Sequence, residues 1–537
     1  MSFDQFRGYI ERKSGWSIQD LFATVVLGAL PLIFARNAFL KDGYAFGNEV
    51  FSNLIPPIHV RRALSQGELP LTAPWFGGRS IWANPMFKGF YPPALPMYIP
   101  QVPLDIALEV VAGAHLTAIP VVAYWCARRD LDIAHAAPYA LIWLFIAWPH
   151  YSGGQLEKLF AFPWVVLTVH QLLPRYLNSA SRRAGVIAGI GIGAAFLAGG
   201  MYYTFYLCVF TGVLIVATQA WRFATGVALG SLVGLPHVIT IIPSLLNASK
   251  RPPVSHSLDL VQQALVISGL HPVISVVPGH LIGAGYATVG IPTLAFAGLG
   301  IWIANNHGGF DRRWAFGVLG VAVIGALLAT GFWAIYRIPG ISIFRSAGRA
   351  TDLIAFACLL LTVFAFRETE FTTYQSARRI GTTLLVACVI TTMVAQPAFA
   401  GFAAQHPNEG RAVAQALDAQ GCDEVWLEHV HTWGGKVRVR PAKASFAAVE
   451  RGIVVQGGHY GDIGQSWTVT GPDGEPTFDA LVVGKKPPET AHLTRPFEYE
   501  ESTIVGQVNM SSFELVDTVP LEEDGAEAFI YAYEGRC

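Results

Sequence analysis

DLFATVVLGALPLIFARNAFL, residues 20–40, carries no charge between Asp20 and Arg36. A helix over this run has the length that crosses about 30 Å of hydrocarbon. The polar start before it holds Arg7, Arg12 and Lys13, and no small-residue cleavage site separates it from a mature domain. The run therefore reads as a retained span and not as a removed signal peptide.

Working outward, apolar runs of the same kind lie near 104–126, 134–149, 157–174, 184–201, 203–221, 224–246, 285–304, 314–335, 350–366 and 380–400. With the first, near 19–39, they predict about eleven transmembrane helices. The Gly and Pro within several of them are tolerated in membrane helices. Composition agrees: 53% of the 537 residues are hydrophobic and 14% charged, against about 25% charged in soluble chains, and the mean hydropathy is +0.43. A formal net charge of −1 gives no reason to expect a nucleic-acid partner.

Lys and Arg in the short loops set the orientation. With the N-terminus cytoplasmic, every inner loop carries a cation: Arg128 and Arg129; Arg175, Arg182 and Arg183; Arg222; Arg312 and Arg313; then Arg367, Arg378 and Arg379. An odd number of spans then places residues 401–537 outside. The expected organisation is a membrane domain over 1–400, with a large first outer loop at 40–103, and a soluble extracytoplasmic α/β domain over 401–537. In that tail a helix is predicted over Glu409–Ala419. Strands are predicted at Glu424–His429, Gly452–Gln456, Ala480–Val483, Phe513–Val516 and Ala528–Tyr533. Segment 257–268 reads as an interfacial amphipathic helix. No internal repeat or low-complexity tract is apparent.

Cys126, Cys208, Cys358 and Cys388 fall in or beside apolar runs and read as small core residues. Cys422 and Cys537 both lie in the tail, where they form a disulfide or remain two thiols. His429, His431 and His459 lack a demonstrated common place, which a metal site requires. His115, His170 and His237 lie within predicted spans, where polar residues are functional candidates, or else cap helix contacts or sit near the interface.

The first outer loop is dense in Pro and aromatic residues, including Trp75, Trp82 and Tyr91, and a loop this long carries function or its own helices. Asp42 and Glu49 stand just beyond the first span. Either could accept a proton from a sugar hydroxyl as general base, or be a solvated loop acid. Arg61, Arg62, Arg79, Lys88, Lys158, Arg337, Arg345 and Arg349 all fall on the predicted outer side, against the usual bias. They suit a lipid phosphate or pyrophosphate, or else they anchor helix ends at headgroups.

These stretches carry a resemblance. GELPLTAPWFGGRSIWANPMFKGFYPP (67–93), YATVGIPTLAFAGLGIW (286–302) and GALLATGFWAIYRIPGISIFRSAGRATDL (325–353) resemble the bacterial YfhO-like membrane proteins of the C-type glycosyltransferase (GT-C) superfamily. The resemblance does not reach the tail. It implies a multi-span GT-C-like fold, an acidic catalytic residue in the first outer loop, and a polyprenyl-phosphate sugar donor used on the outer face. Its two Arg positions match Arg345 and Arg349, implying a donor-phosphate site to which Lys158 and Arg62 are added. Trp75, Trp82 and Tyr91 become substrate-binding candidates. Where the family has Gly-Asp, this chain has Gly47-Asn48-Glu49. Asn48 cannot act as a base, so Glu49 or Asp42 takes the role with Asn48 orienting, or the protein no longer catalyses.

The expected function is inverting transfer of a sugar to an envelope glycan or lipid acceptor in the plasma or inner membrane. The leaving phosphate would be neutralised by cations or by a divalent ion, Mg or Mn. A non-catalytic scaffold or accessory subunit of an envelope-assembly complex is the second reading, motivated by Asn48. A lipid or solute transporter is the third. Sparse charges within the spans and the lack of paired interrupted helices argue against it.

Overall fold

A computed structural model of the chain describes residues 17–36, 49–73, 79–83, 87–152, 155–178, 181–246, 257–268, 270, 288–332, 347–369, 375–394, 408–427, 447–451, 453–457, 467–468, 478–483, 504–505, 513–520, 527–533 and 536–537. In chain order the helices are α1 (Ile18–Phe34), α2 (Glu49–Ser65), α3 (Leu104–Ala127), α4 (Ile133–Ser152), α5 (Leu156–His170), α6 (Pro174–Asn178), α7 (Arg182–Leu197) and α8 (Met201–Thr218). They continue as α9 (Trp221–Ser231), α10 (Leu235–Leu246), α11 (Leu260–Ser268), α12 (Ile291–His307), α13 (Gly309–Ala329), α14 (Thr351–Glu368), α15 (Gln375–Val394) and α16 (Asn408–Gln420). Among the described residues five helical stretches are long and apolar enough to cross a membrane: Leu104–Ala127, Met201–Thr218, Trp221–Ile241, Gly309–Ala329 and Ala347–Glu368.

The chain divides into two compact units. The first takes Met1–Lys41, Glu109–Leu235 and Val254–Phe402. Its helices begin and end where local chemistry directs. Ser17 caps α1 in a reciprocal box, accepting from Asp20 N–H at 3.1 Å while Asp20 Oδ2 accepts from Ser17 N–H at 3.0 Å. The other Asp20 oxygen accepts from Tyr124 Oη and Arg128 Nε, both at 2.7 Å, so the cap also ties α1 to the end of α3.

Helices α7 and α9 meet backbone to backbone. Gly185, Gly189 and Gly193 on one face Gly226, Gly230 and Gly234 of the other stretch, each four residues apart. A Cβ added at Gly189 or Gly230 would lie 2.2 Å from a facing carbonyl oxygen, so only glycine allows this approach. Elsewhere the core is aromatic, with Trp143 stacked on Phe356 at 5.5 Å and the Trp314 indole donating to Leu172 O at 2.8 Å. Helix α11 docks on α13, because Gln263 Nε2 donates to Ala326 O at 3.2 Å as well as to Leu258 O at 2.8 Å. Cys126, Cys358 and Cys388 are buried as expected, but Cys208 is exposed on the outward face of α8.

Cations of three loops expected on one side gather around two acids. Arg175 pairs with Asp130 at 2.6 Å, Arg367 approaches it at 3.9 Å, and Arg378 pairs with Asp132 at 2.8 Å. Arg129 also adds positive charge near Asp130. Burial of the Asp130 carboxyl outweighs these guanidiniums and lifts its pKa to about 6.

The second unit takes Asp42–Leu108, Pro236–Pro253 and Ala403–Cys537. Its loop part holds α2, the antiparallel pair β1 (Thr72–Ala73) and β2 (Arg79–Ser80), and 3-10 turns at Ile81–Ala83 and Pro92–Tyr98. The tail holds α16 and strands β3 (Glu424–Leu427), β4 (Val454–Gly457), β5 (Trp467–Thr468), β6 (Ala480–Val483), β7 (Ile504–Val505), β8 (Phe513–Pro520) and β9 (Glu527–Tyr533). Five strands form one sheet in the order β4-β3-β6-β9-β8, with β4, β3 and β6 parallel and β9 antiparallel to both neighbours. Strand β8 runs past the predicted Val516 because a register shift between Leu515 and Asp517 lets it continue along β9. Val413, Ala414 and Leu417 form the buried stripe of α16. A disulfide joins Cys422 to Cys537.

Candidate functional site

Polar side chains converge at the corner between α4 and α5. Gln155 is the N-cap of α5, and its backbone N–H donates to His150 O at 2.9 Å. Its side chain therefore reaches the last turns of α4 and the first turn of α5 together. Gln155 Oε1 accepts from Lys158 Nζ at 2.5 Å and stands 3.0 Å from His150 Nδ1. His150 Nε2 lies 2.6 Å from Tyr203 Oη, on the first turn of α8. Asp352, near the start of α14, is close enough for its charge to act on Tyr203. Three residues earlier in the chain, Arg349 lays its guanidinium over the Tyr202 ring, 5.1 Å from the centroid. The charges of Lys158 and Arg349 both act on His150.

Burial makes this arrangement costly. His150, Gln155, Lys158, Tyr203 and Asp352 are all at most 2% exposed. A cation in the first turn of α5 also opposes the positive end of the helix dipole. Charges held like this inside an apolar bundle mark function more often than stability.

The sequence-predicted residues fall in three groups. Lys158 and Arg349 lie in the first unit and both act electrostatically on His150. Arg62, Trp82 and Tyr91 lie in the second, with Arg62 half-buried in the last turn of α2 and Tyr91 buried. Trp82 packs on Phe87 at 5.0 Å and on Phe90 at 5.2 Å. The Asp42, Asn48, Trp75 and Arg345 candidates lie outside the described residues, as does the Glu49 side chain, although Glu49 opens α2. His429, His431 and His459 lie outside them too.

Several expectations are revised. Lys88 is no headgroup anchor: it is 2% exposed, and its Nζ donates to Asn53 Oδ1 at 2.9 Å while its backbone N–H donates to Tyr98 Oη at 3.0 Å. Arg61 donates to Ile99 O at 2.8 Å, pinning α2 to the turn at 92–98. His115 Nδ1 and His170 Nδ1 lie 2.6 and 2.8 Å from the carbonyls of Val111 and Val166, one helical turn back. Each thus finds a partner in its own helix. His237 packs edge-on to Phe90 at 6.1 Å. Among the described residues no group of three or more His, Cys, Asp or Glu side chains could hold a metal ion.

The chain is an integral membrane protein, and its fold is shared with a solved arabinofuranosyltransferase. It is similar to the cryo-EM structure of the arabinofuranosyltransferase AftD from Mycobacteria, with a TM-score of 0.52 and 15% identity over 95% of this chain. The match covers 40% of that chain, so this protein spans less than half of the length of the relative. ArnT from Cupriavidus metallidurans bound to undecaprenyl phosphate gives a TM-score of 0.39 at 13% identity, covering 82% of this chain and 86% of that one, and bears no further weight. No protein-family model and no curated protein matches the chain.

Proposed function

We propose that the protein is a membrane glycosyltransferase that moves a sugar from a polyprenyl-phosphate donor to an envelope glycan or lipid acceptor on the outer face, with inversion. One observation carries the reading: Lys158 and Arg349, far apart in the chain, both act electrostatically on the same buried histidine inside a membrane bundle whose fold is similar to that of AftD. A cation in the first turn of α5, with Arg349 acting on the same histidine, suits the phosphate of a leaving group, which then departs without protonation.

In the proposed reaction the acceptor hydroxyl attacks the anomeric carbon. The bond from that carbon to the phosphate oxygen breaks, the polyprenyl phosphate leaves, and the hydroxyl proton passes to a carboxylate. The YfhO-like resemblance supports Glu49 or Asp42 as that base, with Asn48 orienting. It supports Arg345 as a further phosphate ligand. Arg62 is proposed to assist, and Trp75, Trp82 and Tyr91 to face the sugar. A divalent cation, Mg or Mn, remains a proposed aid, and no step here runs through it. The Cys422–Cys537 disulfide supports an extracytoplasmic tail, since such bonds persist in oxidising compartments.

Asn48, standing where the family has its acid, favours a second reading as a non-catalytic accessory subunit. Purified protein in nanodiscs, supplied with polyprenyl-phosphate pentoses and hexoses, separates the two. Release of polyprenyl phosphate, abolished by Glu49→Gln or by the double change with Asp42→Asn, supports the enzyme. Binding of the lipid with no release from any of these donors puts the accessory reading in its place.

A further inference from the structure

The first turns of α1, α4 and α15 are tied to the loop 128–132. Asp20 of α1 accepts from Arg128 Nε at 2.7 Å. Asp132 Oδ1 accepts from the His135 N–H of α4 at 3.1 Å, and Asp132 Oδ2 pairs with Arg378 Nε of α15 at 2.8 Å. Two grooves run from this end of the first unit, and α4 is a wall of both. One, of about 600 Å³, lies between Ala134 of α4 and the α15 residues Arg378, Arg379, Thr382, Thr383 and Val386. The other, of about 710 Å³, lies between α1 and α4.

The two grooves differ in chemistry. In the first, the Arg378 contact to Asp132 runs through Nε, and a guanidinium carries further N–H donors on its terminal nitrogens. Arg379 beside it is exposed and makes no side-chain bond among the described residues. Thr383 gives its one hydroxyl hydrogen to Arg379 O at 2.9 Å, which leaves the half-buried Thr382 as the hydroxyl donor. The second groove is apolar, walled by Phe22, Val26 and Leu30 of α1 and by Ala137, Pro138 and Leu141 of α4.

Ala134 of the first groove and Pro138 of the second are four residues apart, so they lie on one side of α4. A molecule held at Ala134 thus meets the apolar groove about 6 Å further along the helix. From Ile18 to Leu30 that groove follows α1 for about 18 Å, close to the depth of one leaflet of a hydrocarbon core about 30 Å thick. Adjacent guanidiniums suit a phosphate. An apolar channel of leaflet depth suits an acyl chain, which a free phosphate lacks.

We propose that this end of the bundle binds one anionic glycerophospholipid, with its phosphate at Arg378, Arg379 and Thr382 and one acyl chain in the groove between α1 and α4. The assignment is independent of the donor reading and of the corner at His150. A lipid seated in this way bridges α1, α4 and α15. Because it binds the folded chain, it raises stability as its concentration rises.

The test is lipid binding by the delipidated full chain in detergent, read by native mass spectrometry and by melting temperature. The probes are dioleoyl phosphatidylglycerol, its dihexanoyl form and dioleoyl phosphatidylcholine. The expected result is one dioleoyl phosphatidylglycerol held at least about fivefold more tightly than phosphatidylcholine, whose choline offsets the phosphate charge. Arg379→Gln should remove that preference, whereas Arg183→Gln, an exposed cation on the first turn of α7, should not. Ala134→Phe, or the milder Ala134→Leu, fills the first groove without changing charge and should also weaken binding. Ala23→Phe fills the second and should weaken the dioleoyl lipid while sparing the dihexanoyl one. Equal affinity for the two dioleoyl headgroups overturns the proposal, as does equal loss in Arg379→Gln and Arg183→Gln, which marks a diffuse positive surface. Unchanged binding after either groove is filled overturns it too. So does dihexanoyl lipid binding as tightly as dioleoyl, since the acyl chain then has no seat. Displacement by an equal amount of undecaprenyl phosphate overturns it by assigning the grooves to the donor.

Discussion

A Cβ placed on Gly189 would sit 2.2 Å from the carbonyl oxygen of Val227 on the facing helix, so these two residues fix how closely α7 and α9 approach. Gly189→Ala should force the helices apart and destabilise the bundle by roughly 1–3 kcal/mol, the usual cost of overpacking. Gly212, with nothing within 4 Å of an added Cβ, is the control. There, alanine should be neutral or stabilising by up to about 1 kcal/mol. Thermal unfolding of both variants in the same detergent checks the contrast.

Lys158→Met should separate stability from ligand binding. It removes a buried charge at an unfavourable helix end and keeps most of the volume. Unfolding temperature should hold or rise, while affinity for polyprenyl phosphate falls at least about tenfold, the equivalent of one charge-assisted hydrogen bond. Gln155→Leu should do the opposite to stability, costing about 1–3 kcal/mol, because it leaves the ammonium without this acceptor. Parallel melting and lipid-binding curves read both effects.

Tyr202 holds the Arg349 guanidinium by its ring face. Tyr202→Phe should retain lipid affinity, and Tyr202→Leu should weaken it by roughly 2- to 30-fold, matching about 0.5–2 kcal/mol for a cation–π contact. Equal loss in both variants would place the effect on the hydroxyl instead.

Asp130 gives a pH signature. Its carboxyl titrates at about 6 in the folded chain against 3.8 for the ordinary side chain. Between these values the folded state holds a proton that the unfolded state releases, so stability is greatest below the window and falls as pH rises through it. The fall amounts to about 3 kcal/mol and is complete above about pH 6. Asp130→Asn should flatten that part of the profile, read as the difference between wild-type and variant melting temperatures from pH 4 to 7.

The Cys422–Cys537 bond closes a sequence separation of 115 residues. Replacing both with Ser should cost the tail about 2–5 kcal/mol by freeing its unfolded chain. Limited proteolysis of the two forms, with and without reductant, measures the loss.

Much of the scaffold is legible in the residues, because apolar runs near 20 residues and alternating strand patterns report burial directly. The helix at 408–420 and the strand at 480–483 coincide with or fall within a residue of their expected bounds. The site is legible only in part. Lys158 and Arg349 stand out as cations on the wrong side of a charge bias. His150 does not, since a single histidine just beyond the apolar run at 134–149 resembles any helix end. Its role depends on a corner that brings Gln155 to it and on a tyrosine from another helix. Lys88 misleads for the same reason: the partner that permits its burial, Asn53, is distant in sequence. The glycines of α7 and α9 are visible as residues, but their pairing is a matter of register between two helices, which spacing within either does not reveal.

The glycine pair also bears on motion. A contact made of backbone atoms has no side-chain rotamers through which to yield, so α7 and α9 are expected to travel as one strut. Helix α8 joins them in sequence, bounded by Gly200 at one end and by the left-handed Gln219 at the other. Tyr202 and Tyr203 ride on its first turn. Any opening of the corner to admit a lipid must then be taken up by pivoting of α8 at these two joints, and stiffening them would slow entry and exit without altering a group that touches the ligand.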